Sequence, residues 1–148
     1  MLHTISPVID VGIGVQVEKP SITICTSTDF ETNPLTLFRP NLLINLNEYV
    51  GERGLLRQVG GDQQCLASWF FYDNPKNQIS AVFRSIIKNH PFVNGNKRTA
   101  VLFALTIAEF YSLEVVNDEI LYDLSVKLPS TDWDPIILGT QLFKGEGT

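Results

Sequence analysis

Within residues 90–98 stand one titratable imidazole, a glycine turn and two adjacent cations, in the order His90, Asn94-Gly95-Asn96, Lys97-Arg98. An unperturbed histidine titrates near pH 6.5, so His90 can accept a proton at neutral pH. Glycine takes positive φ without penalty, so Gly95 can bring a ligand close to the backbone. A strongly apolar stretch follows at once and reads as a helix. The first amides of a helix have no intrahelical partner and carry the positive end of its dipole, which suits an anion. Lys97 and Arg98 add full positive charge at an end where acidic residues are normally favoured. A bound anion would account for them. The chemistry implied is a phosphate held beside a general base.

Each residue taken singly has an ordinary reading. His90 is the only histidine of the helical region and could simply cap a helix. Lys97 and Arg98 could be a solvated pair, Asn94-Gly95 a plain turn, and Phe92 a core anchor. Taken together in nine residues, they favour an anion site. The residues alone go no further.

The elements that must position this segment are helical. Ile79, Val82, Phe83, Ile86 and Ile87 form an apolar stripe with Arg84 and Lys88 on the other face, stopped by Asn89-His90-Pro91. The next helix is predicted from Asn96 to Tyr111. It is apolar almost all round, which places it in the middle of the domain. Before these, Pro40 suits a helix first turn, with Leu42, Leu43, Leu46 and Val50 on one face. Residues 51–61 carry four glycines and read as a loop. A helix is expected over residues 63–72, with Leu66, Trp69 and Phe70 on one side. Two more are expected near residues 117–127 and 131–143. The β-branched residues of 8–26, interrupted by Glu18-Lys19-Pro20-Ser21, read as two short strands around a turn. The fold expected is all-α: a helical bundle with a central buried helix and a small N-terminal β element. Residues 1–35 form an N-terminal extension and 36–148 the domain.

At 148 residues and 44% hydrophobic, the chain can bury one sizeable core. Its net charge of -5 supplies no global basic field, so direct nucleic-acid binding and an anionic membrane surface are not expected. Cys25 and Cys65 fit no metal-ligand spacing and read as reduced thiols. No basic region precedes an apolar run at the N-terminus, and the longest apolar run, residues 99–108, is too short to span a bilayer. A soluble, cytoplasmic setting is the expectation.

At HPFVNGNKRTA, residues 90–100, the chain resembles the Fic/Doc (Fido) family. That family's pattern is His-Pro-Phe, two residues, Gly-Asn, one residue, Arg. The match is ungapped and sits between a helix and a buried helix, as the family has it. Residues 41–143 are compatible with a Fido core. Fic enzymes of the adenylyltransferase branch carry Gly after Gly-Asn and a second Arg three residues after the first. Here Lys97 and Val101 stand at those places, which is similar to the death-on-curing (Doc) branch. Those proteins are toxins of toxin–antitoxin pairs.

The Doc resemblance implies transfer of the γ-phosphate of ATP to a Ser/Thr hydroxyl of a target protein such as elongation factor Tu, and an antitoxin partner. By the same resemblance His90 would be the general base, and Phe92 the anchor of the loop. Gly95, Asn96, Lys97 and Arg98 would hold phosphates. Asn94 would help to hold Mg²⁺ where the family has Asp or Glu. An amide brings no charge to a hard cation, so the metal site is expected to be weaker. A flap that lends backbone groups to the target is expected at residues 55–61. The family's inhibitory pattern, Ser/Thr-x-x-x-Glu-Gly/Asn, is met in part by Ser27 and Glu31 but fails at Thr32. Two other readings stay open: a Fic-type protein adenylyltransferase, supported by Pro91 and Gly95, and a degenerate Fido binding module, motivated by Asn94.

Overall fold

A computed structural model describes residues 41–145 throughout. Of residues 1–40 it gives only the backbone of four short strands, Leu2–Ile5, Val8–Gly12, Val15–Glu18 and Ile22–Cys25. The first pairs with the fourth and the second with the third, both antiparallel. Of the turn expected at residues 18–21, Glu18 ends the third strand and residues 19–21 lie outside the described residues, as does the partial inhibitory pattern at residues 27–32.

Over the described residues 41–145 the chain is helical, with two isolated β bridges as its only β pairing. The helices are α1 (Leu42–Tyr49), α2 (Gly61–Ala67), α3 (Pro75–Asn89), α4 (Asn96–Phe110), α5 (Asp118–Lys127) and α6 (Pro135–Leu142). Helix α4 is the axis of the bundle. It is buried without a break from Thr99 to Ala108, and α1, α3 and α5 pack around it. Among the described residues one polar atom is stranded there, the Thr106 hydroxyl, which is buried with no hydrogen-bond partner among them.

Helix α3 follows its apolar stripe. Asn74 caps it by accepting from the Asn77 amide at 3.0 Å, and Pro75 occupies the first turn. Such a cap is worth about 1 kcal/mol. Ile79, Val82, Phe83, Ile86 and Ile87 are all fully buried, and each contributes about 1.5–3 kcal/mol by leaving water. Packing therefore fixes α3 and the cap only sets where it begins.

Two expected helices form differently. Over residues 63–72 the α-helix ends at Ala67 and tightens into a 3-10 turn, Ser68–Phe71. With three residues per turn instead of 3.6, successive side chains step further round the axis. Trp69 stays inside at 3% exposed, while Phe70 turns out to 66%. The helix expected from residue 131 starts at Pro135. The carbonyls of Thr131 and Trp133 accept from Lys88 Nζ and Arg84 Nε of α3, each at 2.8 Å. That holds residues 131–134 against α3. Asp134 then caps the helix through the Ile137 amide at 2.8 Å.

Candidate functional site

His90 ends α3 in the left-handed region, at φ 49° and ψ 63°, with its amide donating to the Ile86 carbonyl at 3.1 Å. Left-handed backbone is uncommon outside glycine and is tolerated best by Asn, Asp and His. Such conformations cost on the order of 1–3 kcal/mol and persist only where the surroundings over-determine them.

The surroundings here are the five residues that follow. Phe92 is fully buried. Its amide donates to Asn96 Oδ1 and its carbonyl accepts from Asn96 Nδ2, both at 2.9 Å. On the other edge, the Arg57 amide donates to the Pro91 carbonyl at 2.8 Å and the Val93 amide to the Leu55 carbonyl at 3.0 Å. Residues 55–57 thus lie antiparallel along the loop, with Leu56 opposite Phe92. This is the start of the segment expected to be a flap, and Val59 further along is fully exposed.

Gly95 closes the loop at φ 76° and immediately precedes α4. A Cβ there would come within 2.5 Å of Glu52 Cγ and 3.2 Å of Asn47 Nδ2. Glycine is therefore required twice, by backbone angle and by space. Having no side chain, it cannot cap α4, and the first bond into the turn is from the Thr99 amide to the Gly95 carbonyl at 2.9 Å. The amides of Asn96, Lys97 and Arg98 have no protein acceptor among the described residues.

The site residues named from sequence divide into three roles. Lys97 is half-buried at the mouth of α4, with no ion-pair partner among the described residues. The Asn94 side chain is exposed. The Asn96 side chain is spent on Phe92, so only its main-chain amide is left open. Arg98 is occupied too: it pairs with Glu52 and donates from Nη1 to the Val50 carbonyl at 3.1 Å. Among the described residues no three His, Cys, Asp or Glu gather to hold a metal ion.

Two residues were missed in the sequence. Asn47 is 1% exposed. Its Nδ2 donates to the Asn94 carbonyl and to Thr99 Oγ1, each at 3.0 Å, and its Oδ1 accepts from the Gly54 amide at 2.8 Å. One side chain thus ties α1, the glycine loop, the motif loop and α4. The signal was present: Asn47 falls on the same helical face as Leu43, Leu46 and Val50, where a polar residue must find partners. Glu52 had no signal, because its contact to Arg98 spans 46 positions.

Cys65 of α2 is buried near Ser85 and Asn89. Burial pushes its thiol up, with Asp62 adding to the effect, against weaker lowering by hydrogen bonds from Ser85 and Asn89. The thiol is thus held protonated at neutral pH and is a poor nucleophile.

Residues 41–108 match the family model described as Fic/DOC family. The match runs from α1 into α4 and contains every residue of the site just described. Proteins of that family are generally transferases that modify other proteins, and the helical architecture is consistent with the Fido fold. No curated protein and no solved structure matches the chain. No helix among the described residues is long and apolar enough to cross a membrane.

Proposed function

We propose that this chain is a Doc-like protein-modifying transferase that moves the γ-phosphate of ATP to a Ser or Thr hydroxyl of a target protein. The observation that carries the reading is the braced loop from His90 to Gly95, which ties a candidate base to a helix end with three open amides. In the proposed reaction His90 takes the hydroxyl proton. The freed oxygen bonds to the γ-phosphorus as the bond to the β-phosphate oxygen breaks, and ADP leaves. Amides 95–98 and Lys97 would hold phosphate oxygens, so that charge is stabilised by groups already in place.

The donor set fits phosphate better than a bare cation. Mg²⁺ would be held by phosphate oxygens and water with Asn94 as a neutral ligand, and would supply charge neutralisation between phosphates. Two features favour phosphate over AMP transfer. Lys97 puts a cation where the adenylyltransferase branch has glycine. Val101 is fully buried in the core, so no arginine reaches the site from one turn into α4. The adenylyltransferase reading keeps Pro91 and Gly95 in its favour. The binding-module reading is favoured by the neutral Asn94 and by Arg98 being paired internally. A target such as a translation factor, an antitoxin partner and a cytoplasmic setting belong to the same proposal.

The test uses ATP labelled at the α or the γ phosphate, the full chain and a cell lysate. Transfer of the γ label is expected, and transfer of the α label alone refutes the kinase reading. His90→Asn is the proper control, because asparagine tolerates left-handed backbone and lacks the base. It is expected to lose at least 100-fold in rate. Unchanged labelling would remove His90 from the chemistry.

A further inference from the structure

Beside His90, on the face that α2 closes, lies a pocket of about 230 Å³. Arg57, Gln58, Gln64 and Asn89 supply its polar side chains, and His90 and Pro91 form the wall toward the loop. The bridge to the loop fixes where Arg57 stands, since its amide is bonded to the Pro91 carbonyl. Gly61 keeps the remaining wall low: a Cβ there would lie 3.6 Å from Pro91 Cβ.

The lining is rich in donors, although Asn89 already gives one amide hydrogen to Ser85 Oγ at 3.1 Å, and it contains no carboxylate. Asp62 is close in sequence, but it is buried in the first turn of α2 with Gln63 Nε2 on its carboxylate and does not line the pocket. Three neighbouring cations are spent on structure, Arg84 on Trp133, Lys88 on Thr131 and Arg98 on Glu52, while Lys97 stands at the mouth of α4 and does not line the pocket. Arg57 has no such partner among the described residues, and its side chain is exposed at the pocket. A guanidinium offers five donors in a fork that matches a carboxylate.

Size narrows the occupant. Pockets for whole small molecules run from about 300 Å³ upward, so this space takes one side chain. Because His90 forms a wall, that side chain belongs to a residue within about two positions of the hydroxyl presented to His90, at roughly 3.3 Å per residue. We infer that Arg57, with Gln58, Gln64 and Asn89, selects targets whose acceptor Ser or Thr is flanked within two residues by Asp or Glu. This inference rests on the transferase reading above, in which His90 receives the acceptor hydroxyl.

The experiment uses peptide pools with one Ser among neutral residues and Glu, Gln or Lys placed at each position from two before to two after it. One arm measures initial rates of label transfer from γ- and α-labelled ATP. The other measures anisotropy of the same fluorescent pools on the His90→Asn protein without ATP. At one position Glu is expected to exceed Lys on the order of tenfold in both arms. Arg57→Glu is expected to reverse the order, and Arg57→Lys to keep it in weakened form. Label transfer with no regard to flanking charge overturns the pocket assignment and leaves the transferase reading standing. Arg57-dependent binding of Glu pools with no transfer of either label does the reverse. Equal treatment of all pools in both arms, or an unchanged preference in Arg57→Glu, also overturns the assignment.

Discussion

Replacing Asn47 by Asp changes one nitrogen to oxygen at the point where four segments meet. The shape is kept, and so is the acceptor for the Gly54 amide at 2.8 Å. Both donors are lost. The Thr99 hydroxyl can rotate and donate to the new oxygen, so that contact is repaired. The Asn94 carbonyl cannot, and faces a carboxylate at about the old spacing of 3.0 Å. Leaving that carbonyl unpaired costs about 1–3 kcal/mol. At a position 1% exposed, the buried charge adds several kcal/mol unless the acid takes up a proton. Out of a total stability of about 5–15 kcal/mol, a loss of about 3–5 kcal/mol at neutral pH follows. The protonated acid restores one donor, so the folded form raises the new carboxyl above its unfolded value near 3.9. A group raised in this way contributes most at low pH and loses its contribution as pH rises through the folded pKa. Urea denaturation at pH 5 and pH 7.5, followed by circular dichroism, should show a deficit against wild type that is larger at pH 7.5. A midpoint equal to wild type at pH 7.5, or a deficit that does not change with pH, would refute the role given to the Asn47 amide.

Three further outcomes are expected. Gly95→Ala meets both the positive φ and the Glu52 Cγ at 2.5 Å, and should cost about 2–4 kcal/mol. Because Glu52→Gly itself loses the Arg98 pair, the comparison is with that single variant: Gly95→Ala should cost less in the Glu52→Gly background than in wild type, and an equal cost in thermal melts would show that the backbone angle accounts for all of it. Thr106→Val removes a buried hydroxyl without a partner and should stabilise by about 1 kcal/mol, which is roughly 3–4 °C in Tm for a domain of this size. A lower Tm would mean the hydroxyl is satisfied. Burial raises the Cys65 thiol, so Cys65 should resist iodoacetamide at pH 7.5 until urea unfolds the chain, as read by peptide mass mapping. Rapid labelling of the native protein would contradict that burial.

The α3 stripe and the all-round apolarity of α4 were readable because local spacing decides both. The motif could be matched to a family because its histidine, glycine turn and cations are contiguous. What its residues do was less readable. Asn96 and Arg98 look alike on paper as phosphate holders, yet one clamps Phe92 and the other is paired with Glu52. The Asn96 clamp is local and follows from the turn that brings Asn96 back over Phe92. The Arg98 outcome depends on how the glycine loop of residues 51–54 folds back, which no local pattern encodes. The late start of α6 was missed for a similar reason, since Arg84 and Lys88 hold residues 131–133 from a helix more than forty positions away.

The loop between His90 and Gly95 owes its shape to main-chain bonds, the Asn47 and Asn96 amides and the buried Phe92 ring. The side chains of Val93 and Asn94 point to solvent, and Lys97 carries no structural bond among the described residues. The residues that shape the loop and those whose side chains are left open are therefore different members of one short segment. Side-chain exchanges at 93, 94 and 97 touch none of the side-chain bonds that hold it and cost folding little. A sequence so built is easy to retune: its open positions can change by single steps, each leaving the loop intact for the next.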